Sequence, residues 1–129
     1  MDARAAKRLA ALQERYRVLG EEVARLDFIS RGTVMRTFTR CGNAGCRCRG
    51  DPPALHGPYW TWSRSVGGKT VTRRLSQGQA RLYRQWIANA RKLDRIVARM
   101  EETSRAAQEL LLPQKRPSRV GASRGQRGR

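Results

Sequence analysis

The sequence predicts an α+β fold in which a small three-stranded antiparallel sheet with a metal knuckle is flanked by two long helices. Three observations predict it. Apolar residues recur at alternating three- and four-residue intervals near both ends, period-two segments rich in Val, Thr, Tyr, Trp and Phe fill the middle, and every cysteine and the single histidine fall between positions 41 and 56. A chain of 129 residues holds one domain at most, with appendages. The expected segments are an amphipathic helix over 1–27, the clamped sheet over 28–75, a second amphipathic helix over 76–112 and a disordered basic tail over 113–129.

In the first helix Leu9, Leu12, Tyr16, Leu19, Val23 and Leu26 make one apolar seam. Gly20 weakens it by about 1 kcal/mol. The second helix opens on Ser76 and Gln79, a capping box, and continues through Leu82, Trp86, Leu93, Ile96 and Met100, with polar Asn89 in the seam. Tyr83, Ile87, Ala90 and Val97 broaden that face. Pro113 stops the helix, because it has no amide hydrogen and disfavours helical geometry at Leu112. Two seams of similar length suggest an antiparallel helical hairpin. The alternatives are that each seam packs on the sheet or on a second copy of the chain.

Three strands are expected, over residues 32–39, 58–65 and 69–75, with Gly67-Gly68 as the turn between the last two. Alternation puts Val34, Phe38, Trp60, Trp62, Val71 and Leu75 on the face beneath the helices. The opposite face is rich in hydroxyls: Thr33, Met35, Thr37, Thr39, Tyr59, Thr61, Ser63, Thr70, Thr72 and Arg74.

Between the first two strands, Cys41, Cys46, Cys48 and His56 are spaced C-x4-C-x-C-x7-H, with glycines and prolines throughout the intervening loop. Loop chemistry of this kind lets four side chains converge. Three thiolates and an imidazole suit Zn2+, and they fill its tetrahedral shell with no position left for water, so the site is structural and the chain is not expected to be an enzyme. The C-x-C pair departs from the usual C-x2-C spacing. Arg40, Arg47 and Arg49 stand beside the cysteines and offset the excess negative charge of three thiolates on one dication. A sheet this small has little apolar interior, and metal is expected to hold it together.

Lys and Arg number 28 against 10 Asp and Glu, a net charge of +18. By segment the net is +1 over 1–27, +8 over 28–75, +3 over 76–112 and +6 over 113–129, so the excess belongs to the sheet and the tail. Such a chain is expected to meet polyanions. It shows no apolar run long enough to cross a membrane and no apolar core of a signal peptide after Met1, which together predict a cytoplasmic protein with reduced thiols and no membrane partner. Gly67-Gly68-Lys69-Thr70 shares the ending of a phosphate-binding loop, but Ser63 stands where that motif needs its first glycine and a strand follows where it needs a helix. No Ser-His-Asp set or paired carboxylates can be assembled, and no small-molecule substrate is expected.

The runs Arg31-Gly32-Thr33-Val34, Cys41-Gly42 to Gly45-Cys46-Arg47-Cys48, His56-Gly57-Pro58-Tyr59, Trp62-Ser63-Arg64 and Gly68-Lys69-Thr70 resemble a small uncharacterised bacterial family of unknown function, often encoded beside transposases. The resemblance covers roughly residues 28–100. The order of three strands and a helix, with a Tyr-x-x-Trp and Gly-Lys-x-Val-x-x-x-Leu pattern, is distantly similar to the arm-binding domains of phage-type tyrosine recombinases, whose sheet enters the DNA major groove. Those domains generally lack a zinc loop, so the likeness is one of fold alone.

Charge, sheet and resemblance together suggest a nucleic-acid-binding accessory protein, with DNA preferred to RNA. Thr72 and Arg74 are expected to reach base edges, and Arg36, Arg40, Arg47, Arg49, Arg64, Lys69 and Arg73 to meet phosphate. The alternative is a coiled-coil assembly element that docks on a transposase or on itself, with Asn89 setting register.

Overall fold

In the computed structural model, residues 1–112 are described. The element order is α1 (Ala3–Ala24), β1 (Thr33–Thr39), a 3-10 turn (Arg47–Arg49), β2 (His56–Val66), β3 (Lys69–Leu75) and α2 (Gln77–Leu111). This is the expected α+β arrangement, with a three-stranded antiparallel sheet in the order β1-β2-β3. The basic tail expected over 113–129 lies outside the described residues.

Contacts divide the described residues into two units, one made of residues 1–21 and 97–112, the other of Glu22–Ile96. In the first, Asp2 caps α1 by accepting a 2.8 Å hydrogen bond from the Ala5 amide. Leu12 and Leu19 are the buried members of the predicted seam, while Tyr16 is 43% exposed. Leu12, Gln13 and Tyr16 of α1 and Thr103, Ser104 and Ala107 of α2 line one cleft of about 180 Å³.

The second unit holds the sheet and the first part of α2. The capping box forms as the sequence predicts: the Gln79 amide donates to Ser76 Oγ at 3.1 Å, and the Ser76 amide to Gln79 Oε1 at 2.8 Å. The helix then lays Ala80, Tyr83 and Ile87 on Trp62, Leu75, Val34 and the edge of Trp60. Leu82, expected in the seam, is 52% exposed, because the face that meets the sheet runs through Ala80, Tyr83 and Ile87.

Register settles the two sheet faces. Val34 pairs with Trp62, Arg36 with Trp60, Trp60 with Leu75 and Trp62 with Arg73, so these residues share the helix side. Thr33, Ser63 and Thr72 share the other side, as do Met35, Thr61 and Arg74. The predicted alternation holds except at Phe38. The register shifts between Thr37 and Thr39, and this bulge leaves Phe38 51% exposed instead of in the core. Gly67 and Gly68, at φ of 57° and 81°, make the two-residue turn that joins β2 to β3.

The segment from α1 to β1 is strapped to α2. The Ser30 amide donates to Trp86 O at 3.1 Å, Asn89 Nδ2 to Phe28 O at 2.9 Å, and Phe28 meets Trp86 edge-on at 5.4 Å. Asn89 therefore holds this strap. Arg31 completes the strap with a bidentate ion pair to Asp94 at 2.7 and 2.9 Å. The guanidinium holds the Asp94 carboxyl below the usual carboxylate range through its hydrogen bonds and its charge. A depressed carboxyl pKa stabilises the fold above the ordinary Asp value and loses that contribution as pH falls through its own lower value. Acid titration of thermal stability should thus be slightly steeper in the parent than in Asp94→Asn. The difference will be small, because both side chains are 58% exposed.

Candidate metal centre

The loop between β1 and β2 gathers four soft donors. Cys41 lies two residues past the end of β1, Cys46 precedes the 3-10 turn, Cys48 sits inside it, and His56 is the first residue of β2, opposite Thr39. The sequence reading left His56 in the loop; the strand begins two residues earlier than predicted and carries it.

Local hydrogen bonds shape the first interval. Asn43 Oδ1 accepts from the Gly45 amide at 3.0 Å, a side-chain-closed turn, and Asn43 O accepts from the Cys46 amide at 3.2 Å. The Cys41 amide points at Cys48 Sγ, 3.4 Å away, as in a metal knuckle. Arg49 Nη2 donates to Cys41 O at 2.6 Å, and the Gly50 and Ala54 amides both donate to Arg47 O. Asn43 and the fastening role of Arg49 escaped the sequence reading. An Asn two residues before a glycine is the signal that marks such a turn.

The four donor atoms lie within 4.8 Å of one another. Cys41 Sγ and Cys48 Sγ are 3.7 Å apart, and Cys46 Sγ is 3.2 Å from His56 Nε2. Sulfurs about 2.3 Å and nitrogens about 2.0 Å from one tetrahedral ion stand about 3.8 Å (S···S) and about 3.5 Å (S···N) apart, so these two pairs are close to the separations one ion imposes and the four donors form a possible metal site. Cys48 has no solvent exposure, and Cys41, Cys46 and His56 are half-buried.

Electrostatics point the same way. Hydrogen bonds from the Cys48 amide, from the Cys48 and Cys41 side chains and from His56 hold the Cys46 thiol down to about 6. The Cys41 amide pulls Cys48 down too, but burial and the adjoining Cys46 and Cys41 sulfurs outweigh it and push this thiol up. The neighbouring sulfurs thus move Cys46 and Cys48 in opposite directions. A bound dication removes that conflict.

The basic residues proposed from sequence do not share one surface. Arg36, Arg64, Lys69 and Arg73 register on the helix side of the sheet, while Thr72 and Arg74 lie on the free side. The reason is parity: residues an odd number apart along a strand point to opposite faces. Arg64 lies 4.3 Å from the Trp62 ring centroid, and Arg36 5.9 Å from that of Trp60. On the free side the Arg74 guanidinium stacks 3.8 Å from the Tyr59 centroid, and Ser63 Oγ and Thr72 Oγ1 are hydrogen-bonded at 2.9 Å. Arg40, Arg47 and Arg49 lie exposed on the knuckle loop.

Among the described residues, no helix is long and apolar enough to cross a membrane. No curated protein and no solved structure matches the chain. One family model does, over residues 9–85, taking in most of α1, the whole metal loop, the sheet and the start of α2. That span begins earlier and ends earlier than the resemblance read from the motifs. With well over half of its length inside the model, the chain belongs to the family described as a domain of unknown function, DUF6788.

Proposed function

We propose that this is a zinc-stabilised, nucleic-acid-binding accessory protein that meets duplex DNA with the free face of its sheet. One observation carries the reading. The face turned away from α2 presents rows of Thr and Ser hydroxyls around a single arginine, Arg74, whose guanidinium carbon lies over the Tyr59 ring, 3.8 Å from its centroid. A stacked guanidinium keeps its donor edge free and loses little freedom on binding, and a sheet of this width fits a major groove. The hydroxyls of Thr72 and Ser63 bond each other and keep spare acceptor capacity for base edges.

Phosphate contacts on this reading come from the exposed knuckle arginines, Arg40 and Arg47, and from the +6 of residues 113–129. Zn2+ held by Cys41, Cys46, Cys48 and His56 keeps β1 and β2 in the geometry that presents the face. A closed Cys3His shell supports a structural ion, and hence a binding protein, not an enzyme. Thiolate ligands suit a reducing cytoplasm. The resemblance to a transposon-associated family favours a role beside a mobile element.

The test is the double variant Thr72→Ala with Arg74→Ala against a randomised duplex pool. Each lost base contact is expected to cost about 1–3 kcal/mol of discrimination while affinity for arbitrary duplex changes little. Unchanged sequence preference would refute groove reading. A second reading, docking of the helices on a transposase or another copy, is favoured by the apolar cleft of Leu12, Tyr16 and Ala107. A stable dimer by light scattering without DNA would support it.

A further inference from the structure

Trp60 and Trp62 point to the same side of β2 yet meet different surroundings. Trp62 is 8% exposed, and its indole N–H donates to Arg31 O at 2.8 Å. It is a core residue. Trp60 is half-buried, its indole N–H has no acceptor among the described residues, and its ring borders two cavities. One, of about 310 Å³, is also lined by Gln77, Ala80, Arg81, Arg84 and Gln85. The other, of about 460 Å³, shares Trp60 and Gln77 and adds Arg36, Pro58, Tyr59 and Leu75.

The Arg84 guanidinium lies 4.5 Å from the Trp60 centroid and that of Arg36 lies 5.9 Å from it. No carboxylate lines either cavity, and none of Arg36, Arg81 and Arg84 joins an ion pair among the described residues. Three guanidiniums therefore stand unneutralised around a partly open indole, with the amides of Gln77 and Gln85 at the rim. Unpaired positive charge of this density selects an anion, and an accessible indole face selects a flat ring. The amides can both donate to and accept from a ring edge.

We propose that this pocket binds an unpaired nucleotide of a nucleic-acid strand, with its base against Trp60 and Arg84 and its phosphates on Arg36 and Arg81. Stacking on aromatic and guanidinium planes within a basic groove is how proteins hold single strands without reading sequence. Thr72 and Arg74 lie on the opposite face of the sheet, and Tyr59, which borders the larger cavity and underlies Arg74, is the one residue the two sites share. A chain with both sites holds a duplex and an adjoining frayed or single-stranded segment together. The inference shares the nucleic-acid reading above but, Tyr59 apart, rests on different residues, and the two can fail separately.

The test is fluorescence anisotropy of the full chain with a labelled ten-nucleotide oligothymidylate and with a blunt twenty-base-pair duplex, at fixed salt. Trp60→Leu is expected to weaken single-strand binding about 5- to 100-fold, Trp60→Phe to retain most of it, and both to leave duplex binding within about twofold. Trp60 also touches the core. If circular dichroism shows Trp60→Leu to be unfolded, Arg36→Gln with Arg84→Gln decides instead, with about tenfold weaker single-strand binding and a shallower salt dependence expected. Folded variants that bind oligothymidylate like the parent would overturn the proposal. So would an equal loss of single-strand and duplex affinity, which marks general charge attraction. Thymidine monophosphate competing as well as the decamer would assign the pocket to a free nucleotide and overturn the strand reading.

Discussion

Replacing Cys48 with serine will abolish metal binding and unfold the β1–β2 connection, and exhaustive chelation of the parent will do the same. Cys48 is the one ligand with no solvent exposure; its sulfur lies 3.7 Å from Cys41 Sγ and also accepts from the Cys41 amide at 3.4 Å. Serine keeps the volume but supplies a poor ligand for a soft ion. The magnitude follows from the size of the structure that the metal holds. Structural zinc is worth about 10–16 kcal/mol in small domains, whereas a whole domain is net stable by about 5–15 kcal/mol. The buried cluster between the sheet and α2 is small, Trp62, Leu75, Ala80 and Ile87, and Cys48 is the one buried side chain on the knuckle loop among the described residues. Near-ultraviolet circular dichroism should therefore lose the tryptophan signals of the sheet, and thermal unfolding of that unit should lose its cooperativity. A variant that melts within about 2 °C of the parent would show that the loop is held by its own hydrogen bonds.

Gly32→Ala should be the most damaging single substitution outside the metal loop. Gly32 has φ of 107°, and a Cβ built there would lie 2.3 Å from Ser63 O and 2.8 Å from Trp62 Nε1. Neither neighbour can yield cheaply, since one is backbone of the central strand and the other is an indole locked by its bond to Arg31 O. Backbone strain and the clash together should cost more than about 3 kcal/mol, read as a fall in Tm of roughly 10 °C or more. Gly20→Ala is the internal control. No atom outside the helix's own backbone lies within 4 Å of its added methyl, and its helical position should make alanine stabilising by about 1 kcal/mol. Similar melting temperatures for the two variants would contradict the packing described at the start of β1.

How far the fold was legible depended on which residues carried local signals. Ser76 with Gln79, Gly67-Gly68 and the three-and-four spacing of the seams are short-range chemistry, and the elements they announce formed within three residues of the expected bounds. The clustering of the four candidate metal ligands was legible for the same reason: the chain holds no other cysteine or histidine, so there was nothing to choose between. What could not be read was whatever depended on partners distant in sequence. Phe38 left the core because a register shift interrupts the alternation, and Asn89 was bound by the carbonyl of Phe28, 61 residues away. The strand arginines were grouped by charge, although period-two alternation, itself a local signal, already separates them. Parity along the strands divides them, with Arg36, Arg64 and Arg73 on the helix side and Arg74 alone on the free side.

The division of the two tryptophans was again set by partners distant in sequence. Both belong to the helix-facing row, and only the position of α2 over the sheet, with Tyr83 4.7 Å from Trp62, covers one and leaves the other at the margin.

Elemental analysis of the freshly purified, untagged chain tests the central claim most directly. The account predicts one zinc per polypeptide, retained through gel filtration and released together with the tryptophan dichroism on chelation. A chain that carries no stoichiometric metal and keeps that dichroism under chelator would contradict it.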